Sequence, residues 1–197
     1  MTRTGMALLL VLTVTAACKK EPEPMADANP EPPRGTAQWK IYNARSAAPA
    51  QISANATVQD VGATDSTPGD TLARGDNGWT CMPDNPRTDA NDPWCIDEES
   101  QKIMAAFATR TAPRLSGMAI AYTLQGGVSA SDTDPFKMQP DSGQQWIVDP
   151  PAILIMMPNP RSYAGLPTTR RTDGPWIRWS GTPYAHIVIP ASTGGTP

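Results

Sequence analysis

Histidine, phenylalanine and cysteine are scarce in this chain of 197 residues, which contains one, two and three of them respectively. The single histidine, His186, excludes a zinc centre with three histidine ligands from one chain. The sequence also has no HExxH, CxxC or GxSxG motif, which are local signatures of metal, redox and serine-hydrolase centres. An enzymatic function would therefore have to use residues that no motif marks.

Positive charge is also scarce, and it forms no continuous stripe. The chain has 16 Lys and Arg against 19 Asp and Glu, which gives a formal net charge of −3. Adjacent basic residues occur only at Lys19-Lys20 and Arg170-Arg171. Because binding to a phosphate backbone requires clustered cations, we predict that nucleic acid is not a partner.

Long apolar runs are missing as well. The segment Met6–Val14 is apolar, but it is shorter than the roughly 20 residues with which a helix spans a bilayer. Arg3 precedes this segment, and small residues follow it up to Cys18. A positive start, a short apolar run and a small-residue cleavage site together predict an export signal peptide over residues 1–17.

This segment resembles the signal of bacterial lipoprotein precursors, although Thr15 stands where that family usually has leucine. The resemblance implies cleavage before Cys18 and attachment of a lipid to its thiol, which would anchor the mature chain to a membrane. An ordinary cleaved signal peptide and an uncleaved anchor are the alternatives. The expected location is therefore outside the cytoplasm, anchored by lipid and facing the periplasm or the cell surface.

Composition divides the chain after the signal. Residues 18–35 comprise Cys18 and a segment with five prolines, several acidic residues and few apolar ones. Such a segment cannot bury enough surface to fold, so we predict a disordered tether. Residues 36–197 contain all six tryptophans, which favours a single packed domain.

Two cysteines remain once Cys18 is assigned to the signal. Cys81 and Cys95 form an even pair in a chain predicted to be exported to an oxidising compartment, so we predict a disulfide between them. Closing a loop of about 15 residues is worth roughly 3 kcal/mol of stability. A metal site that uses both thiolates is the alternative, but the chain has no second cysteine pair to complete it.

Residue patterns within 36–197 predict an α+β domain, with a mainly antiparallel sheet of about five or six strands and one principal helix packed on a face. The principal helix is expected from Asp97 to about Thr111, where acidic residues precede a helical apolar pattern. Strands are predicted at 118–124, 152–157, 176–179 and 185–189. Less regular segments predict a short helix near 39–48, a strand at 56–58 and a hairpin turn at Asn77-Gly78.

Three polar residues are candidates for chemistry. His186 lies in the predicted strand YAHIVI, where a hydrogen-bonded structural histidine is the alternative to a catalytic base or metal ligand. Asp132 and Asp134 lie two residues apart in a loop and could face one Ca²⁺, although the EF-hand pattern fails and loop aspartates usually cap turns. The loop from Asp84 to Asp92 could likewise bind Ca²⁺ through its aspartates and asparagines, with turn capping as the alternative. No metal and no cofactor is predicted.

Tryptophans indicate a second kind of site, because an exposed indole face can stack on a sugar. Trp79 and Trp94 are the candidates, with burial in the core as the alternative. Trp176 and Trp179 are three residues apart, so in a strand they face opposite ways and do not form one platform.

The segments GDNGWTCMPDNP, SDTDPF and GTPYAHI resemble a group of uncharacterised exported bacterial proteins. This resemblance implies export and a single domain, and it implies no activity, cofactor or catalytic residue. The sequence therefore predicts a membrane-tethered binding or interaction module, whose partner is an envelope protein or a glycan. A small envelope hydrolase that uses His186 with nearby aspartates is the alternative.

Overall fold

A mainly antiparallel sheet runs through the part of the protein that the computed structural model describes, residues 31–64 and 67–191. Its eight strands are β1 (Thr57–Val61), β2 (Pro68–Ala73), β3 (Thr80–Met82), β4 (Trp94–Ile96), β5 (Ala119–Thr123), β8 (Ala152–Met156), β9 (Trp176–Arg178) and β10 (His186–Pro190). They lie in the order β2-β1-β3-β4-β5-β8-β10-β9. Strands β6 (Gly127–Ser129) and β7 (Ile147–Asp149) form a separate antiparallel ribbon.

Helical segments in the described residues are α1 (Ala37–Arg45), α2 (Ala50–Ser53), α3 (Glu98–Ala108) and a short 3-10 helix (Pro160–Tyr163). Asp97 caps the principal helix α3, because its side chain accepts a hydrogen bond from the Ser100 N–H. Thr36 caps α1 in the same way. No described helix is long and apolar enough to cross a membrane. The predicted signal peptide, Cys18 and most of the predicted tether lie outside the described residues.

The predicted α+β class, the mainly antiparallel sheet and the principal helix are confirmed, but the predicted count of five or six strands is wrong. Strands β3 and β4 have three residues each, which is too short for an alternating pattern to be visible. Strand β2 begins at Pro68-Gly69, a dipeptide typical of a turn. Strand β4 was not predicted, whereas β2 and β3 overlap the two segments that flank the predicted hairpin turn at Asn77-Gly78.

The Asn77-Gly78 turn does not close a hairpin between its neighbouring strands. Strand β1 lies between β2 and β3, pairing antiparallel with β2 and parallel with β3. Gly78 has a φ of +80°, as a tight turn requires, and Asn77 donates a hydrogen bond from Nδ2 to the Ile52 carbonyl at 2.7 Å. The dipeptide predicted the turn correctly, but a third strand separates the two strands that it joins.

The two faces of the sheet carry different hydrophobic clusters. Helix α1 covers the face that presents Val58 and the two strand cysteines, and Tyr122 of β5 packs against that cluster. Helix α3 packs against Ala119 of β5 and Met156 of β8. Because successive residues of a strand point to opposite faces, Ala119 and Tyr122 place α3 and α1 on opposite sides of the sheet.

The predicted disulfide between Cys81 and Cys95 is present. The two residues lie directly opposite each other in the β3–β4 ladder, and both are fully buried beneath α1. The bridge therefore closes the intervening loop at the base of two very short strands.

Strands that are close in sequence also lie together in the sheet. Strands β1 to β4 form one half of it, and β5, β8, β10 and β9 form the other. The halves meet where β4 pairs with β5 through only two residue pairs, Cys95 with Tyr122 and Ile96 with Ala121. By contrast, β5 pairs with β8 through five residue pairs. The sheet thus consists of two sequence-contiguous halves joined by a short ladder.

Candidate functional site

His186 is buried in the second half of the sheet. It lies on β10 opposite Arg178 of β9, and only 7% of its surface is exposed. Its Nδ1 lies 3.0 Å from the Tyr184 carbonyl oxygen, and its ring meets the Trp179 ring edge-on with 5.0 Å between centroids. Within the described residues, its Nε2 has no hydrogen-bond partner.

Burial lowers the pKa of His186 to about 4, and the neighbouring Arg178 guanidinium acts in the same direction. The ring is therefore neutral at neutral pH, and a hydrogen bond to a carbonyl places its proton on Nδ1. A hydrolase would instead need a carboxylate that orients this ring and a reachable nucleophile. No carboxylate of the described residues hydrogen-bonds His186.

Two arginines and two aspartates form an ion cluster near His186. Arg170 donates to Asp132 from Nη2 at 2.6 Å and from Nε at 2.8 Å, and Arg178 donates to the same carboxylate from Nε at 3.1 Å. Both guanidinium groups also donate to Asp149. Two positive and two negative charges cancel, so this cluster offers no net charge to an ionic ligand.

The ion cluster connects the β6–β7 ribbon to the main sheet. Asp149 ends β7, Asp132 follows β6, and both guanidinium groups lie over the Trp176 ring of β9, with Cζ-to-centroid distances of 5.0 and 5.1 Å. Burial lowers the pKa of Arg170, but its hydrogen bonds to the two aspartates outweigh burial and raise it overall. Trp176 is only 1% exposed, so this tryptophan belongs to the core and offers no face on which a sugar could stack.

A glycine allows the turn that leads into the ribbon. Gly126 has a φ of +79°, and a Cβ on it would lie 2.7 Å from the Asp149 carbonyl oxygen. The close approach of these two backbone segments thus requires glycine at position 126. This approach also places Asp149 beside the main sheet.

The remaining predicted aspartate, Asp134, has a different partner from Asp132. Its Oδ1 accepts a hydrogen bond from the Phe136 N–H at 2.9 Å, an interaction that caps the local turn. Asp132 is occupied by two guanidinium groups. Across residues 31–64 and 67–191, no group of three or more His, Cys, Asp or Glu side chains is arranged to hold a metal ion.

Trp79 and Trp94 do not share a surface. Trp79 packs against the α1 cluster, with its ring 5.5 Å from that of Tyr122. Trp94 begins β4, next to Cys95. Because Cys95 faces α1, the side chain of Trp94 points to the opposite face of the sheet. The structure therefore separates the two candidates for a sugar-stacking platform.

The loop that the disulfide closes is held together by two aspartates. The Asp92 N–H donates to Asp84 Oδ1 at 3.1 Å, and the Asp92 carboxylate accepts from the Asn85 N–H at 3.0 Å and the Thr88 hydroxyl at 2.9 Å. Asn43 of α1 accepts from the Asp84 N–H at 2.7 Å. Burial raises the pKa of Asp92 to about 6, and the nearby negative charge of Asp84 adds to this, whereas the hydrogen bonds from the loop oppose it.

An open cavity of about 180 Å³, lined mostly by apolar side chains, lies at the end of the sheet where β8 ends and β10 begins. Its walls come from the loop after α3, the segment after β8 with the 3-10 helix, and the β9–β10 turn. The principal lining side chains are Leu115, Met156, Met157, Pro158, Tyr163 and Pro183. The Tyr163 hydroxyl accepts a hydrogen bond from the Met157 N–H at 2.7 Å, and burial raises the pKa of Tyr163, so the phenol stays neutral.

No sequence pattern pointed to this cavity, because its walls come from three distant segments. A signal was nevertheless present: Pro113, Pro158 and Pro183 each lie where a predicted element ends or begins. Prolines at element boundaries leave apolar surface in loops, but their positions do not reveal which loops meet in space.

The structure brings two of the predicted site residues close together, since His186 and Asp132 both neighbour Arg178. It places Asp134, Trp79 and Trp94 in separate structural roles. Arg170 and Arg178, which complete the ion cluster with Asp149, carry no local motif and were not predicted. Comparison of the chain with protein-family models, with curated proteins and with solved structures finds no match.

Proposed function

We propose that this chain is an exported lipoprotein and that its domain is an interaction module, which holds one apolar side chain of a partner protein in the cavity at the end of β8. The volume of the cavity is the observation that carries the proposal. Sites for small-molecule ligands and cofactors occupy about 300–1,000 Å³, whereas an apolar cavity of roughly 150 Å³ accommodates a benzene-sized group. At about 180 Å³, this cavity matches a single leucine, methionine or phenylalanine side chain.

The chemistry of the lining supports binding rather than turnover. It contains no Asp, Glu, Lys, Arg or His, and the phenol of Tyr163 is held neutral. Two methionines, Met156 and Met157, supply flexible thioether surface that adapts to different apolar shapes. Thr182 and Tyr163 are the lining side chains that carry a hydroxyl, whereas a sugar ring would bring several hydroxyl groups, so an apolar protein side chain is favoured over a glycan.

The buried position of His186 also favours a binding module over the envelope hydrolase. This ring is neutral, lies outside the cavity lining and bonds to a backbone carbonyl. The export part of the proposal rests on the signal-like N-terminus and is supported by the disulfide, which is typical of oxidising compartments.

The lipid anchor is tested by Cys18→Ser. Without the thiol no lipid can be attached, so the variant should move from the membrane fraction to the soluble fraction and lose labelling by radioactive palmitate. Thr15→Leu restores the residue usual in lipoprotein signals and should keep both properties. A Cys18→Ser protein that remains labelled in the membrane fraction would show that the anchor is wrongly assigned.

The cavity is tested by methyl NMR on full-length protein labelled at its methionine methyl groups. Short peptides with one central leucine or phenylalanine should shift the Met156 and Met157 signals and leave that of Met82, on β3, in place. Ala112→Trp, at an exposed position in the cavity wall, should abolish the shifts, whereas Ala54→Trp, exposed and distant, should preserve them. If no peptide moves the two cavity signals, the domain does not act through this cavity.

A further inference from the structure

The three chain segments that wall the cavity have an unusual charge. Residues 109–117, 156–164 and 180–185 contain Arg110, Arg114 and Arg161 and not one acidic residue. The protein as a whole has a formal net charge of −3. Acidic residues therefore outnumber basic ones over the chain, while these three segments contribute three arginines and no acidic residue.

Two of these cations are free to meet a ligand. Arg114 lies between the lining residues Pro113 and Leu115, and Arg161 lies two residues before the lining residue Tyr163. Both arginines are exposed, and among the described residues neither is in an ion pair. Arg110 is engaged differently, since its Cζ lies 5.0 Å from the centroid of the Phe136 ring. One acidic side chain contacts these segments: Glu99 of α3 accepts a hydrogen bond from the Ser116 N–H, and it is paired with Lys102.

From this juxtaposition we infer that the partner segment is acidic, with carboxylates that flank the apolar side chain held in the cavity and that face Arg114 and Arg161. This inference rests on the proposed function and specifies its ligand. Complementary charge raises the rate of encounter and selects among partners, while the apolar side chain determines where the segment docks. One side chain fills the volume of the cavity, whereas an acyl chain would extend beyond it, so an acidic peptide is favoured over an anionic lipid.

The test measures binding of three fluorescent peptides to the full-length protein by anisotropy. Each peptide has one central leucine, flanked by glutamates, by glutamines or by lysines. At low salt the glutamate peptide should bind about tenfold more tightly than the glutamine peptide, and the lysine peptide should bind least. The preference should weaken as salt is raised, because these charges are exposed and therefore screened.

Variants separate this inference from the proposed function. Arg114→Gln with Arg161→Gln should abolish the preference for glutamate and keep the binding of the glutamine peptide. Arg74→Gln, which changes an exposed arginine near β2, should leave the preference intact. Equal affinity for all three peptides, with Met156 and Met157 still shifting, would overturn the acidic partner and leave the cavity as the docking site.

Two further outcomes overturn the inference. If none of the peptides shifts the cavity methionines, the proposed function fails and the acidic partner fails with it. Vesicles containing phosphatidylglycerol serve as the lipid probe. If the soluble Cys18→Ser protein binds these vesicles through Arg114 and Arg161 and shows no preference among the peptides, the cations recognise a membrane surface instead.

Discussion

At the scale of single residues, the fold shifts the pKa values of His186 and Asp92 so that each favours its neutral form. His186 has a folded pKa of about 4 against an ordinary 6.5, so in this interval the unfolded chain binds the extra proton and stability falls as the pH falls. Asp92 has a folded pKa of about 6 against an ordinary 3.8, so the folded chain binds the extra proton and stability rises as the pH falls. The two contributions oppose each other over nearly the same pH interval.

The variant Asp92→Asn should separate the two contributions. At about pH 7.5 the Asp92 carboxylate is ionised although burial disfavours the charge, so its replacement should raise the free energy of unfolding by about 1 kcal/mol. This gain is smaller than the full pKa shift implies, because the site is partly exposed. Between about pH 6.5 and pH 4.5 the variant should lose more stability than the wild type, since the effect of His186 is then unopposed.

Urea denaturation at several pH values measures both effects of this substitution. Asp89→Asn changes an exposed aspartate of the same loop and serves as the control. A loss of stability in Asp92→Asn at neutral pH would mean that the ionised carboxylate is favoured by its hydrogen bonds, contrary to the raised pKa.

At the scale of elements, the β6–β7 ribbon forms a separate sheet that follows β5 along the chain and leads into β8, and the ion cluster adds side-chain contacts between this ribbon and β9. Arg170→Gln should break the charged contacts to Asp132 and Asp149 and leave both carboxylates to Arg178 alone. The expected loss is about 2 kcal/mol, below that of a fully buried pair because the cluster is partly exposed. Hydrogen exchange of the ribbon amides should also become faster.

The adjacent Arg171 provides a matched control for this prediction. It pairs with the exposed Asp173, so Arg171→Gln should leave both the unfolding free energy and the exchange of the ribbon nearly unchanged. Similar losses in the two variants would show that the ion cluster is not what holds the ribbon.

Elements with a visible periodicity could be predicted, and those defined by their partners could not. Helix α3 has an acidic cap and an apolar stripe within one continuous segment, and the apolar run of β8 identifies an interior strand, which lies between β5 and β10. Strand β4 has only three residues and exists because β3 and β5 flank it. The order β2-β1-β3 likewise depends on a strand entering between two others, which the Asn77-Gly78 dipeptide cannot reveal.

The candidate site was predictable to a smaller extent. His186 and Asp132 were identified because a lone histidine and a paired loop aspartate are conspicuous in the sequence. Arg178 was not, since nothing in its neighbourhood indicates that it meets carboxylates 46 and 29 residues away. The cavity was also missed, because it exists only where three distant loops meet.

At the scale of the whole molecule, the disulfide compensates for short strands and a long polar loop. The double variant Cys81→Ala with Cys95→Ala should lower the free energy of unfolding by roughly 3 kcal/mol, because the unfolded chain regains the freedom of the loop. Calorimetry and urea denaturation would measure the loss. Each single variant should lose a similar amount of stability, because either substitution removes the bridge.

Burial provides an independent check on the bridge. Both cysteines are fully buried, so a mild reductant should reach the disulfide only when the domain opens, and the rate of reduction should follow the rate of unfolding. Fast reduction under native conditions, or a double variant as stable as the wild type, would contradict a stabilising role.

The short ladder between β4 and β5 has a consequence for how the molecule is assembled in time. Residues 37–96 contain α1, the four neighbouring strands β1 to β4 and both bridged cysteines. These four strands can pair with one another without any residue of the second half. A chain delivered from its N-terminus can therefore form and oxidise this half while the rest is still arriving. Strand β5 then presents an edge on which β8, β10 and β9 are added, and the arrival of Tyr122 completes the α1 cluster last.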